Sequence, residues 1–252
     1  MASDLDAMQL RDLRVKFGLD LLHRVYAELL EPAFSVDELE SEEFFRSSLV
    51  ESDQDPQTLA LVAVDPNSVP SDDPVGTVIG KWYQATGVLL IAYVTVRADR
   101  RGAGIGESLM RLAVERWFPS IGCTLVLGEI EDPRHFDEQE AIRRLRFHGR
   151  VGGSLLRIPY FQPRLRQDAR RVHHMFLAVF ASSAMARREG GVDASLLRAF
   201  LKQYFAATEG AEAVRSDPSI AWLLRFYQGD VIPLVAMARY LQVPDPEPPT
   251  EP

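Results

Sequence analysis

Apolar residues recur at helical spacing near the start of the chain, at Phe17, Leu19, Leu21, Leu22, Val25, Leu29 and Leu30, and Glu31-Pro32 closes that run. A second helix is expected from about Val36 to Leu49. Thr58–Val64 is short, apolar and bounded by Pro56 and Pro66, which predicts a strand followed by a solvated loop over Asp65–Pro74. Gly76–Tyr83 and Val88–Val96 are strand-like runs separated by Gln84-Ala-Thr-Gly87, the spacing of a hairpin. Ile105, Leu109, Leu112, Ala113, Val114 and Trp117 then mark one helical stripe. A strand over Thr124–Ile130, a helix over Ala141–Val151 stopped by Gly152-Gly153, and strands at Leu155–Phe161 and Val172–Phe180 follow. This order predicts an α/β fold with a mixed, mostly antiparallel sheet flanked by helices, over about residues 1–184.

Beyond Ala184 the pattern becomes helical. Asp193 caps a helix carrying Leu196, Leu197, Phe200, Leu201, Tyr204 and Phe205. Asp217-Pro218 opens another with Trp222, Leu223, Phe226 and Tyr227, Gly229 ends it, and a third is expected from Asp230 towards Leu241. Residues 185–242 therefore read as a helical C-terminal extension whose aromatic face must be covered by the main domain or by a second copy, so a homodimer stays open. The proline-rich, acidic segment 243–252 reads as a disordered tail.

Composition narrows the function classes. A net charge of −8 argues against a generic nucleic-acid or anionic-membrane binder. One cysteine, Cys123, excludes an intramolecular disulfide and a cysteine-rich zinc site. No stretch reaches the roughly 18 apolar residues of a membrane span, and the first residues lack the basic and apolar regions of a signal peptide. A cytoplasmic protein is expected.

The chemistry concentrates in Val94-Thr-Val-Arg-Ala-Asp-Arg-Arg-Gly-Ala-Gly-Ile-Gly106, where a strand runs into glycines that open a helix. Gly102, Gly104 and Gly106 let backbone N–H groups turn inward, and the helix adds its own free N–H groups and positive dipole end. A pyrophosphate suits such a cradle. No Lys-Ser/Thr follows the glycines, and their spacing is not G-x-G-x-x-G, so neither a P-loop nor a dinucleotide fingerprint is present.

Arg101-Gly-Ala-Gly104-Ile-Gly106 does fit R/Q-x-x-G-x-G/A, and with the surrounding element order the chain resembles the GNAT superfamily of N-acetyltransferases over about residues 8–182. The resemblance implies acetyl-CoA as co-substrate, with no metal. It implies that the backbone N–H groups of Arg101, Gly102, Ala103, Gly104, Ile105, Gly106 and Glu107 hold the pyrophosphate. Val94, Thr95 and Val96 would pair with the pantetheine arm like an added strand, and the neighbouring strand would splay away to admit the thioester. The activity implied is transfer of an acetyl group to a primary amine by direct attack in a ternary complex. The alternative is a non-catalytic acyl-CoA-binding or interaction module that keeps the fold.

Direct transfer needs a base to take a proton from the ammonium acceptor and an acid to protonate the leaving thiolate. Glu129 and Glu131 lie two apart, hence on one strand face, and Glu129 sits deeper among apolar residues where burial would raise its pKa. Glu129 is the expected base. Both glutamates marking a solvated strand end is the bland alternative. The family's helix ending F-Y-x-x-x-G-F, whose tyrosine faces the sulfur, is here Phe147-His148-Gly-Arg-Val-Gly-Gly153. His148 thus stands where the tyrosine acid would, either donating to sulfur or packing on the cofactor. His173 and His174 are adjacent on a predicted strand, on opposite faces and ill placed to share a metal, and His135 falls in a loop. Tyr160 is expected to pack in the core or to line the acceptor pocket. From Glu31 to Asp73 there are twelve acidic residues against Arg46 alone, and an acidic border beside the acceptor site would favour a cationic amine.

Overall fold

The computed structural model describes residues 8–14, 18–50, 54–68 and 72–247. Strand β1 (Gln9–Asp12) precedes helix α1 (Leu19–Val25), which runs on through a π-helical turn over Tyr26–Leu30. Phe17, placed in that helix by its spacing, lies outside the described residues. Helix α2 (Glu42–Val50) follows, then β2 (Gln57–Asp65), β3 (Asp73–Tyr83), β4 (Val88–Val96), α3 (Ile105–Ser120), β5 (Leu125–Glu131) and α4 (Glu138–Arg150). The chain continues through β6 (Ser154–Leu156), β7 (Tyr160–Gln162), β8 (Val172–Ser182), β9 (Arg187–Arg188) and β10 (Gly191–Asp193). Helices α5 (Ala194–Glu209), α6 (Ala211–Ser216) and α7 (Pro218–Arg225), strand β11 (Val231–Ala236) and a 3₁₀ segment over Met237–Gln242 complete it.

The strands form one sheet in the order β1-β2-β3-β4-β5-β8-β6-β11-β10-β9, with β7 also on β8. Every pairing is antiparallel except β4 with β5. The mixed, mostly antiparallel sheet flanked by helices is the expected fold class. Helix α3 covers one face through Ile105, Leu109, Met110, Ala113 and Trp117, packed on Leu61, Val78, Leu89 and Val126. Helices α1 and α2 pack on the other face around Ile79 and Tyr93.

Several elements differ from the sequence expectation, each for a local reason. Helix α2 begins at Glu42 rather than Val36, because Ser41 caps it, its Oγ accepting from the Phe44 N–H at 3.2 Å. The segment before it is instead tied to the sheet by a buried ion pair, Lys81 Nζ to Glu40 Oε1 at 3.2 Å, with the Tyr93 hydroxyl donating to the same carboxylate. Leu155–Phe161 is two strands rather than one, since Pro159 lies in the break. Strand β1, short and carrying only Leu10 as an apolar residue, was not foreseen.

The largest correction concerns residues 185–242. The caps hold: the Asp193 carboxylate accepts from the Ser195 and Leu196 N–H groups, and that of Asp217 accepts from Ser219 and Ile220. Of the expected third helix only the 3₁₀ segment Met237–Gln242 forms. Val231–Ala236 is strand β11, paired with β6 through Leu234↔Leu156 and Val235↔Leu155. Pro233 would break a helix interior but sits readily in a strand, and Val231, Ile232 and Val235 are β-branched. Leu197, Phe200, Leu201, Tyr204 and Phe205 share one core with Tyr83, Val88, Leu90, Leu125 and Leu127 of the sheet. The aromatic face is therefore covered in cis, although Phe226 stays 37% exposed. Arg171, buried on the lead-in to β8, ties α5 to the start of α7, reaching Glu209 at 2.5 Å and Asp217 at 2.8 Å.

The tail expectation also fails for residues 243–247. Val243 is buried among Ile130, Leu145, Phe176 and Met237, and Asp245 bonds to His135 and His174. Residues 248–252 lie outside the described residues. Among the described residues no helix is long and apolar enough to cross a membrane.

Candidate active site

Parallel pairing of β4 with β5 runs only from Val88↔Leu125 to Ile91↔Gly128. Beyond that point the strands separate. The cause is written into β4, where the β3 register passes from Ile79↔Tyr93 to Gly80↔Ile91 and leaves Ala92 as a bulge. On the β5 side Gly128 makes room for Phe180, whose ring carbon would sit 2.7 Å from any Cβ placed there. The gap opens into a cavity of about 790 Å³, within the size range of a cofactor site.

One wall of this cavity is Val94, Thr95, Val96 and the loop into α3. Of the residues singled out for pyrophosphate, Arg101, Gly102, Gly104, Ile105, Gly106 and Glu107 line it. Ala103 does not, and packs against the core beneath α3 instead. Gly102 and Gly104 hold φ of 88° and 79°, the left-handed region that glycine tolerates, and no atom lies within 4 Å of where a Cβ would project. Gly104 is also the N-cap of α3, so the first free N–H groups of a four-turn helix begin there. Much of the nearby arginine charge is already engaged. Arg100 bonds Asp65 at 2.6 Å, Arg101 Nε donates to the Val96 carbonyl at 3.0 Å, and Glu107 is held by Arg111 and Arg150 at 3.1 Å each. The Arg101 guanidinium, bonded to a neutral carbonyl, keeps its charge on this wall beside the free N–H groups that open α3.

The opposite wall carries carboxylates: Glu129 and Glu131 from β5, and Glu38 from the segment before α2. As the strand alternation requires, the two β5 glutamates face one cavity, but their surroundings differ. Glu131 is paired with Arg144. Glu129 has no cationic partner among the described residues. Its Oε1 accepts from the Tyr160 hydroxyl at 2.5 Å, and both its oxygens lie 3.4 Å from the Tyr204 hydroxyl. Burial raises the Glu129 carboxyl to about 7, opposed by the tyrosine hydrogen bonds. Tyr160 and Tyr204 thus act on this carboxylate. The first was expected as core or pocket lining, the second only as one of an apolar helical set. Tyrosine between Phe200 and Phe205 was the single hint.

His148 also lines the cavity, from the last turn of α4, with Phe147 and Phe180 against its ring at 4.9 and 5.5 Å between centroids. Burial, reinforced by Arg144, drives its pKa down to about 3, and its Nδ1 has no hydrogen-bond partner among the described residues. The imidazole is neutral at physiological pH.

Comparison with known proteins agrees with this architecture. Residues 22–144 match the model of the Acetyltransferase (GNAT) family. Among solved structures, a protein from Bacteroides thetaiotaomicron described as a GNAT-family acetyltransferase superposes with a TM-score of 0.56 at 17% identity, over 81% of this chain and 98% of that one. Arabidopsis thaliana NAA60 in complex with acetyl-CoA gives 0.49 at 16% identity, over 68% and 98%. The spermidine/spermine N-acetyltransferase SpeG from Vibrio cholerae gives 0.46 at 12%, over 69% and 95%. A search of curated proteins gives no match. The fold is the GNAT fold; residues 22–144 match the GNAT acetyltransferase family model, and the rest of the chain completes the sheet.

Proposed function

We propose that this chain is an acetyl-CoA-dependent N-acyltransferase that moves an acetyl group to a primary, cationic amine by direct attack in a ternary complex. The observation that carries this reading is a carboxyl tuned to about 7, set in the gap between β4 and β5, in the same cavity as the glycine loop. The residues fit the co-substrate. Left-handed glycines bordered by open space offer N–H groups to a pyrophosphate, and β4 beyond Ile91 has its β5-facing edge free for an extended pantetheine arm. Acetyl-CoA would supply the thioester carbonyl and the thiolate leaving group.

Glu129 takes the proton from the ammonium acceptor. A base is most effective with a pKa near the operating pH, and about 7 meets that condition. Glu38 and Glu129 place carboxylates on the acceptor side that favour a cation, whereas Glu131 is offset by its partner Arg144. His148, its pKa lowered by burial to about 3, donates an N–H hydrogen bond to the departing sulfur, and the thiolate takes up the second proton shed by the attacking nitrogen. That role suits a thiolate of ordinary pKa near about 8.5, which is stable enough to leave once hydrogen-bonded.

The test is thiol release from acetyl-CoA with a panel of amines: polyamines, aminoglycosides, lysine peptides and neutral amines of similar size. Release with cationic acceptors and little with neutral ones is expected. Tight CoA binding without release on any acceptor would instead establish a non-catalytic acyl-CoA-binding module, the reading that His148 in place of tyrosine keeps in view.

Gly104→Val provides a separate check on the loop. A Cβ at this position meets no protein atom within 4 Å, yet β-branched valine at a φ of 79° is strained and points into the cavity beside the proposed phosphate site. Loss of CoA affinity by calorimetry, with a melting temperature only slightly reduced, is the expected result. Unchanged affinity would place the phosphates elsewhere.

A further inference from the structure

We propose that His135, His174 and Asp245 form a binding site for a divalent transition-metal ion of the zinc class, which fastens the C-terminal segment to the sheet. Three parts of the chain converge there: the loop between β5 and α4, the start of β8, and the segment beyond Val243. His135 Nε2 lies 2.7 Å from Asp245 Oδ2, and His174 Nδ1 lies 3.2 Å from Asp245 Oδ1. All three donor atoms fall within 4.8 Å of one another. The two imidazoles stack with centroids 3.6 Å apart. His174 adopts a φ of 57°, so the alternation that should separate adjacent strand residues fails there, and its ring meets His135.

These spacings suit one small ion. Zinc takes imidazole nitrogen and carboxylate oxygen at about 2.0–2.2 Å, which sets tetrahedral donor atoms roughly 3.3 Å apart. The donor separations are close to that value, but the rings lie within 15° of parallel, so loading requires one imidazole to turn out of the stack until each nitrogen lone pair points at the ion in its own ring plane. Two imidazoles with one carboxylate select zinc-class ions over calcium or magnesium, which prefer all-oxygen shells. His135 and Asp245 are exposed, which leaves the fourth position to water. A crevice of about 20 Å³, the scale of one water molecule, adjoins His174 and Asp245. Arg134 approaches Asp245 at 3.7 Å, but its guanidinium is held in a fork by Asp132, at 2.5 and 2.8 Å, which offsets its charge.

The consequence is mechanical. Val243 is already buried, and the Asp132 N–H bonds the His174 carbonyl at 3.2 Å. An ion here would pin residues 243–247 across the end of β5, the strand that carries Glu129. The inference does not depend on the transfer reaction.

Calorimetric titration of the chelator-treated full chain with zinc chloride tests it. One ion per chain is expected, with a higher melting temperature when loaded. Asp245→Asn and His174→Asn, the second chosen because asparagine tolerates a left-handed backbone, should each weaken binding by about tenfold or more, since even outer-shell partners are worth that much. Absence of binding, or equal binding by the folded variants, would overturn the site. Should a variant misfold, cobalt(II) added to the wild-type chain decides: ligand-field absorption characteristic of low coordination supports the site, and a spectrum identical to free cobalt refutes it.

Discussion

Glu129→Gln should lower turnover at neutral pH by about 10²–10⁴-fold, the usual contribution of a positioned base, with little change in acetyl-CoA affinity. The size of the effect follows from the carboxyl's surroundings. Burial holds its pKa near 7, so wild-type kcat/KM should rise with pH through about 7 and level off above it. In the variant that limb should vanish and the deficit should shrink at high pH, where the amine loses its proton without help. His148 contributes no competing limb, being neutral above about 3. Tyr160→Phe removes the 2.5 Å hydrogen bond that favours the ionised form, and should move the limb to higher pH. Stability gives an independent reading. A carboxyl whose folded pKa lies above its unfolded value of about 4.3 stabilises the fold below that value, and the benefit is lost as pH rises through the folded pKa. At a pH above about 7, therefore, the glutamine variant should melt no lower than the wild type while being nearly inactive. Equal activity of the two proteins at pH 7 would remove Glu129 from the reaction, leaving Glu131, already committed to Arg144, as the next candidate.

What could be read from the sequence tracks the range of the interactions involved. The glycine loop, the hairpin of β3 and β4 and the caps Asp193 and Asp217 are local devices, encoded within a few residues, and all are found as expected. Glu129 was legible because strand alternation fixes its face and its apolar neighbours bury it. The two tyrosines bonded to it are 31 and 75 residues away, and no local pattern ties them to it. His174 illustrates the same limit. A strand pattern places His173 and His174 on opposite faces, but a φ of 57° at one residue and a partner 71 residues away, Asp245, decide where its ring lies. Residues 230–241 depart from their local pattern for a related reason. Their helix is an acceptable local choice except for Pro233, and the pairing with β6 that decides the outcome spans some eighty positions.

Deleting residues 190–252 should leave an aggregating or insoluble protein, because the segment is part of the same core as the sheet. Leu197, Phe200, Leu201, Phe205, Ile220 and Leu223 are each fully buried, and they pack on Tyr83, Val88, Leu90, Leu125 and Leu127. Burying one such side chain is worth about 1.5–3 kcal/mol, so several together match the whole stability of an ordinary domain. The deletion would also strip Tyr204 from Glu129 and β11 from β6, exposing a sheet edge open to intermolecular pairing. Phe200→Ala is the graded version. Its T-shaped contact with Tyr83, at 5.2 Å between centroids, and its full burial predict a loss of about 3–5 kcal/mol, read as a lower urea midpoint. Removing only residues 243–252 should cost less, on the scale of one buried valine at about 1.5–3 kcal/mol, rather than nothing as a disordered tail would. A 1–189 fragment that stays monomeric, soluble and as heat-resistant as the full chain would show that the shared core contributes no stability and that the C-terminal helices form a module of their own.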